Sequence, residues 1–304
     1  MFGELPKLLG RDFAIGFFLP FAVLLAVTVG LLDAFDVTPA LLDRLDENLL
    51  IGTTVAGAAA WLGGVALLGI NRAVYRFFEG YGALNPLRLL AWLERRRFTK
   101  LKARIAQARA DGRGSPPRPS RTGLGRLMRA EVREFPEEEH LLPTRFGNAL
   151  RAFEVYPRIM YGLDSIPGWL RLLAVIPKEF LGMVDEAKAQ ADFWLNLWLV
   201  GLVVTAEWGV LAAVEHAWAP TWWVPVAALA AAWFSSRRAL AAVQDWGEMV
   251  KAAFDVFLPD LYKKLGAMPV ESRQEEQKIW MAFSQAVLYR RPKLLPPRAP
   301  SSPP

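Results

Sequence analysis

The sequence predicts an all-α integral membrane protein, with four transmembrane helices in two hairpins and a helical cytoplasmic domain. Of its 304 residues, 53% are hydrophobic and the mean hydropathy is +0.20, which is high for a soluble domain. The apolar residues occur in long uncharged blocks, and about 20 such residues cross a bilayer as a helix. Basic residues flank these blocks on one side only, which predicts a common orientation for both hairpins.

The first hairpin is predicted over residues 1–70, with spans at 13–32 and 49–70. The first apolar block is longer than the core of a cleaved signal peptide and has no cleavage site after it, so we expect it to remain as an anchor. Pro20 removes one backbone donor and predicts a kink. The connection over 33–48 is acidic, which places it outside and both chain termini in the cytoplasm.

Small residues recur at every fourth position of the second span. They are Gly52, Ala56, Ala60 and Gly64. One side of this helix therefore carries almost no side chain, and another backbone can approach it closely. We expect helix packing there, and because four helices with such a face do not enclose a pore alone, we expect a homo-oligomer.

The second half of the chain predicts another hairpin over 193–236, with spans at 193–214 and 220–236. The third span is expected to continue a cytoplasmic helix that begins after Pro177. Cytoplasmic helices follow over 237–290, where a capping pair at Ser272 and Glu275 begins the last helix. Residues 291–304 are proline-rich and predict a disordered tail.

The cytoplasmic region over 71–192 is strongly basic. Residues 72–129 contain 15 Lys and Arg and three acidic residues, a local net charge of +12 within a chain of +6. A basic helix is predicted over 87–110 and a flexible linker over 111–123. The cations expected to contact an anionic ligand or membrane lipids are Arg95, Arg96, Arg97, Lys100, Lys102 and Arg104. Positive-inside anchoring and acidic-lipid contact explain this helix as well as a nucleotide or oligonucleotide ligand does.

No motif for catalysis, cofactor binding or metal binding is apparent. The chain has no cysteine, and its two histidines, His140 and His216, are 76 positions apart with no metal-binding motif beside either. Phosphate-cradling glycine loops and nucleophile-elbow motifs are also missing from the sequence. We therefore predict that the protein is not an enzyme and needs no cofactor.

Polar residues in the third span are the main candidates for a functional role. Glu207 lies deep in the apolar stretch, Asn196 falls on much the same helix face, and Thr205 is nearby. A carboxylate at this depth is costly unless it faces water or a partner. It either lines a pore or holds helices together through a hydrogen bond to Thr205, Thr53, Thr54 or Thr28. The sequence leaves both interpretations open.

Three strings carry a resemblance to known proteins: LPTRFGN (142–148), RAFEVYPRIMYGLDSI (151–166) and WGEMVKAAFDVF (246–257). On a two-plus-two helix layout, they resemble a family of four-span bacterial inner-membrane proteins. This resemblance implies the inner membrane as location and no catalytic residue. In architecture the chain is similar to bestrophin-type channels and to membrane-permeabilising effectors of phage defence.

Two functional hypotheses follow. In the first, the protein is an oligomeric channel or pore-forming effector that a cytoplasmic ligand, such as a nucleotide or oligonucleotide signal in bacterial defence, opens. In the second, it is a non-conducting membrane scaffold that recruits a protein partner through its cytoplasmic helices.

Overall fold

A computed structural model describes residues 10–37, 49–111, 123–215, 221–266 and 272–295. Within these ranges all regular secondary structure is helical, as predicted. In chain order the helices are α1 (Arg11–Ala34), α2 (Leu49–Glu79), α3 (Ala91–Asp111), α4 (Gly123–Glu134), α5 (Arg145–Glu154), α6 (Tyr156–Tyr161), α7 (Ser165–Leu172), α8 (Lys178–Val214), α9 (Trp223–Lys264) and α10 (Arg273–Leu288). A 3-10 helix at Pro86–Leu90 precedes α3, and others lie at Glu138–His140 and Pro292–Leu294.

Four of these helices, α1, α2, α8 and α9, are long and apolar enough to cross a membrane. This confirms the predicted number of candidate spans within the described residues. The helices are longer than the predicted spans, and α8 continues without a break from Lys178, just after Pro177, for 37 residues. Helix α9 likewise has 42 residues and keeps Pro259 inside it before ending near Gly266, whose φ is +67°.

Near Pro20 the first helix widens into a π-helical turn at Ala14–Phe18. The missing N–H of proline leaves the carbonyl of Gly16, four residues earlier, without its usual α-helical donor. The Leu19 N–H instead bonds to Ala14, five residues back. The helix is therefore irregular in the turn before the proline, and the kink itself stays a prediction.

The chain divides into two compact units. Unit 1 comprises Met1–Phe78 and Asp185–Val243, and unit 2 comprises Glu79–Val184 and Gln244–Pro304, in each case as far as they are described. In unit 1 the apolar core includes one cluster around Leu31, Phe35, Val200 and Val204, and another around Phe13, Phe17 and Leu67. These clusters join α1 to α8 and α1 to α2.

Unit 2 differs from the sequence predictions at α4 and at Pro157, which was expected to end a helix that starts at Thr144 or Pro143. Helix α4 was not predicted, because its few apolar residues directly follow a Gly- and Pro-rich segment. Residues 112–122 of the expected linker lie outside the described part of the chain. Pro157 does not end α5. It occupies the first turn of α6, where a missing N–H removes no helical bond, and the break falls at Val155. In the expected disordered tail, Pro292–Leu294 is a 3-10 helix, and 296–304 lie outside the description.

Other predictions concern local features of the chain. Ser272 caps α10, as predicted, by accepting a hydrogen bond from the Glu275 N–H at 3.2 Å. The acidic connection beyond residue 37 and the outer turn at 216–220 lie outside the described residues.

Candidate functional site

Glu207 of α8 meets α1 through a single side-chain hydrogen bond. The Thr28 hydroxyl donates to Glu207 Oε2 at 2.9 Å. The other threonines considered as partners bond their own helices instead: Thr205 donates to the Gly201 carbonyl at 2.8 Å, and both Thr53 and Thr54 donate to the Leu50 carbonyl. Glu207 is half-buried and borders an exposed strip of α8 that includes Ala206 and Val210.

Asn196 is fully buried and donates a hydrogen bond to a backbone carbonyl of α1. Its Nδ2 donates to the Gly16 carbonyl at 2.8 Å, the same carbonyl that Pro20 leaves without a donor. Because an unpaired buried carbonyl is costly, this amide compensates directly for the proline. Within the described residues, Asn196 Oδ1 has no hydrogen-bond partner. In the single chain Asn196 therefore lies in a helix seam and not on an accessible surface.

Asp192 is a third polar residue of α8 that the sequence analysis missed. It is 3% exposed. Its Oδ1 accepts hydrogen bonds from the Tyr75 hydroxyl at 2.8 Å and Asn71 Nδ2 at 3.2 Å, and its Oδ2 accepts one from Lys188 Nζ at 2.6 Å. The predicted span began at 193 and so excluded it, although its spacing of four from Asn196 places both on one helix face.

These three residues make a polar seam, which we define as Asp192, Asn196 and Glu207 with their partners in α1 and α2. Asp192 is neutralised by a lysine, and Asn196 is enclosed by protein. Glu207 differs because, among the described residues, its partner is a neutral hydroxyl and part of its side chain is accessible. It is the member of the seam that a second chain or water could still reach.

The small-residue stripe of α2 divides into two parts. Ala60 is 4% exposed, and a Cβ built on Gly64 would lie 3.1 Å from Phe18 Cα, so this part packs against α1 within one chain. Ala56 is exposed and Gly52 is half-buried. The first part of the stripe thus remains accessible for a contact with another chain.

Two of the six basic residues proposed for an anionic contact have acidic partners. Arg97 forms ion pairs with Glu94 at 2.8 Å and with Glu134 at 2.9 Å, and Lys102 pairs with Glu131 at 2.5 Å. The pairs with Glu134 and Glu131 attach α4 to α3. The remaining four, Arg95, Arg96, Lys100 and Arg104, are exposed.

The string LPTRFGN forms a structural junction in unit 2. The Thr144 side chain caps α5 by accepting from the Gly147 N–H at 2.9 Å. A Cβ on Gly147 would lie 2.9 Å from the Glu79 carbonyl oxygen, so only glycine fits. Asn148 is fully buried, accepts from the Leu142 N–H at 2.7 Å and donates to Glu94 at 3.3 Å. This string therefore joins the end of α2, α3 and α5.

The other two strings, over 151–166 and 246–257, contact each other through hydrogen bonds and an aromatic pair. The hydroxyls of Tyr156 and Tyr161 donate to Asp255 Oδ1 at 2.8 and 2.6 Å. The Trp246 and Phe153 rings pack edge to face with centroids 5.1 Å apart. Residues far apart in sequence are thus joined by one carboxylate and one aromatic pair.

This tyrosine–aspartate contact predicts a loss of stability at high pH. Burial, together with the hydrogen bond to Asp255, raises the pKa of Tyr161 to about 12, and the pKa of Tyr156 is raised for the same reasons. An unfolded tyrosine ionises near pH 10, so the unfolded chain loses these protons first as pH rises. The free energy of unfolding should be fully retained below about pH 10 and fall between about pH 10 and 12.

Denaturant unfolding across this pH range measures the effect. Tyr161→Phe, which cannot ionise, should be less stable near neutral pH because the hydrogen bond is gone, and it should show a shallower alkaline decline. A wild-type free energy that stays constant to about pH 12 would contradict the assignment.

A cavity of about 720 Å³ lies beside these contacts in unit 2. Its walls combine aromatic rings with polar and charged side chains, which include Phe153, Trp169, Trp246, Phe254, His140, Arg151, Glu154, Arg158 and Asp164. Arg151 pairs with Glu154 at 3.0 Å, and burial nevertheless raises the pKa of Glu154. Arg158 is 4.0 Å from Asp164 and its side chain is 63% exposed, so it can take another anionic partner. Such a cavity suits a flat ring that carries a negative group.

Glu137, Glu139 and His140 place one potential ligand atom each within 4.8 Å of one another. The two carboxylates are exposed, and His140 Nε2 is 3.5 Å from Glu139. This surface group has no further feature that indicates a metal.

Comparisons of this chain with protein-family models, with curated proteins and with solved structures find no match. The resemblance drawn from the three strings therefore stays a prediction, and the function rests on the geometry described above.

Proposed function

We propose that this protein is an oligomeric ion channel of the bacterial inner membrane, with four spans in two hairpins, cytoplasmic termini and a cytoplasmic ligand that opens it. The observation that carries the proposal is Glu207. It lies in a helix apolar enough to cross a membrane, has a neutral partner and is still partly accessible.

A carboxylate in this position is unfavourable against hydrocarbon, by about 2.5–3.5 kcal/mol or more for an ionised group at the centre of a membrane helix. Assembly of several copies would remove that cost if it brought the accessible strip of α8 to a shared, water-filled path. Thr28 would then orient the carboxylate, and the negative charge would favour cations.

The ligand is proposed to be a nucleotide or oligonucleotide signal. Its proposed site is the cavity of unit 2, which encloses aromatic rings and an incompletely paired arginine in one concave space, rather than the open surface of α3. By contrast, Arg97 and Lys102 of α3 are already paired with acidic residues of α4.

Glu207→Gln tests the pore. Glutamine keeps an oxygen that can accept from Thr28 but removes the charge, so assembly should be unchanged while cation conductance falls severalfold or selectivity shifts. The measurement is planar-bilayer recording of purified protein, with and without nucleotide ligands. Thr205→Val is the matched control, since Thr205 bonds its own helix.

Two results would argue against a channel. One is wild-type protein that stays silent with every phosphate-bearing ligand and co-purifies with one protein in a fixed ratio, which would favour the scaffold. The other is Glu207→Gln that conducts like wild type, which would leave Glu207 as a structural contact between α1 and α8.

The two parts of the α2 stripe predict different consequences for assembly. Ala56→Leu changes an exposed position and should lower the oligomer mass in detergent while leaving the protomer folded. Ala60→Leu overfills an intrachain contact and should lower the thermal unfolding midpoint instead. Light scattering and thermal unfolding separate the two, and equal oligomer mass in wild type and Ala56→Leu would confine the stripe to packing within one chain.

A further inference from the structure

Unit 2 exposes a run of large apolar side chains between the end of α2 and the first turn of α3. Leu84 is 99% exposed and Leu89 is 76% exposed, and Leu90, Trp92 and Leu93 are exposed as well. We propose that residues 84–96, which we call the interfacial segment, insert their apolar side chains into the headgroup region of the adjacent membrane leaflet and bind anionic lipids. This inference requires that the chain is in a membrane, but not that it conducts.

The exposed side chains belong to an ordered element. Asn85 is buried, donates to the Tyr81 carbonyl at 3.0 Å and accepts from the Leu87 N–H at 2.9 Å, which fixes the start of the 3-10 helix. On the opposite face of α3, Glu94 and Phe98 are each 5% exposed. The segment therefore has one side fixed to unit 2, and among the described residues no side chain covers its apolar side.

The charge around this apolar run complements a phosphate surface. Arg88, Arg95 and Arg96 are exposed, whereas Glu94, the one acidic residue between positions 80 and 110, is buried and paired. The Arg96 guanidinium lies over the Trp92 ring, 4.6 Å from its centroid. Tryptophan and arginine side by side are typical of the membrane interface, where the ring meets the acyl boundary and the cation meets phosphate.

The connection to α2 limits where the segment can go. Leu84 follows Glu79, the last residue of α2, by five positions, and five extended residues reach at most about 18 Å. The predicted span ends at residue 70, nine helical residues or about 14 Å before Glu79, so the segment lies within about 32 Å of the surface where that helix is expected to emerge. A second copy of the chain could also cover apolar side chains, but the exposed arginines beside them favour an anionic lipid surface over it.

The cysteine-free chain allows a direct test. Leu89→Cys, spin-labelled in the full-length protein, is reconstituted into nanodiscs that contain either phosphatidylcholine with phosphatidylglycerol or phosphatidylcholine alone. The accessibility of the label to oxygen and to a water-soluble nickel complex reports its depth. Glu138→Cys is the control, since it replaces an exposed acidic residue of the same unit.

We expect the label at position 89 to be several times more accessible to oxygen than to nickel in anionic nanodiscs, and the label at position 138 to show the reverse. Replacing Arg95 and Arg96 by glutamine should lower the ratio of immersed to exposed label by about fivefold for each charge removed. This factor corresponds to the stabilisation of about 1 kcal/mol that each basic residue contributes at an anionic surface. The zwitterionic nanodiscs should give a similar decrease.

Two outcomes would overturn the proposal. If position 89 is as accessible to nickel as position 138, the segment is not in the membrane. If it is protected equally in both lipids and shows dipolar broadening between labels in discs that hold two or more copies, a second chain covers it.

Discussion

Gly201→Ala should destabilise the protein, whereas Gly209→Ala, eight residues later in the same helix, should leave it unchanged or stabilise it. A Cβ on Gly201 would lie 2.7 Å from the Ala228 carbonyl oxygen and 2.8 Å from Ala232 Cβ. Because the first of these atoms is backbone, α8 and α9 would have to move apart. A Cβ on Gly209 meets no atom within 4 Å.

The expected cost at Gly201 is about 1–3 kcal/mol of overpacking, partly offset by the better helix propensity of alanine. Gly201→Leu should be worse and could prevent accumulation of folded protein. Thermal unfolding in detergent gives the comparison, and opposite signs for the two alanine variants are the distinctive result. Equal midpoints would mean that α8 and α9 do not touch at Gly201 in the folded protein.

The sequence was sufficient for the features that depend on local pattern. Long uncharged blocks predicted four membrane-length helices, and the serine at 272 predicted the start of α10. A helix such as α4 could not be predicted the same way, because its contacts with α3, among them the ion pairs of Glu131 and Glu134, join residues that are far apart in sequence. Propensity over twelve residues is a weak signal beside such tertiary contacts.

The polar seam shows a similar limit. Glu207 stands out in the sequence because it interrupts an apolar run, and Thr28 was among its expected partners. The role of Asn196 depends on Pro20, which lies 176 positions away, and no periodicity links the two. Asp192 was missed because a charged residue at the edge of an apolar block is normally taken to mark the end of a span. Only the fold places it among the buried residues.

Asp192→Leu should have a large effect on stability for this reason. It removes the acceptor that the half-buried Tyr75 and Asn71 share, and losing a hydrogen-bond partner in such a place costs about 1–3 kcal/mol for each donor. Lys188 contributes less to that cost, because its side chain is 40% exposed and can remain hydrated.

Two further variants separate charge from burial. Asp192→Asn keeps the volume and one acceptor oxygen, so we expect a smaller decrease in the unfolding midpoint. Glu186 lies in the same helix as Asp192, and Glu186→Gln removes its exposed ion pair with Arg11 of α1. A surface pair of this kind contributes about 0–1 kcal/mol. The expected order of destabilisation is Asp192→Leu, then Asp192→Asn, then Glu186→Gln. If Asp192→Leu is no worse than Glu186→Gln, Asp192 is hydrated in the folded protein and the polar seam ends at Asn196.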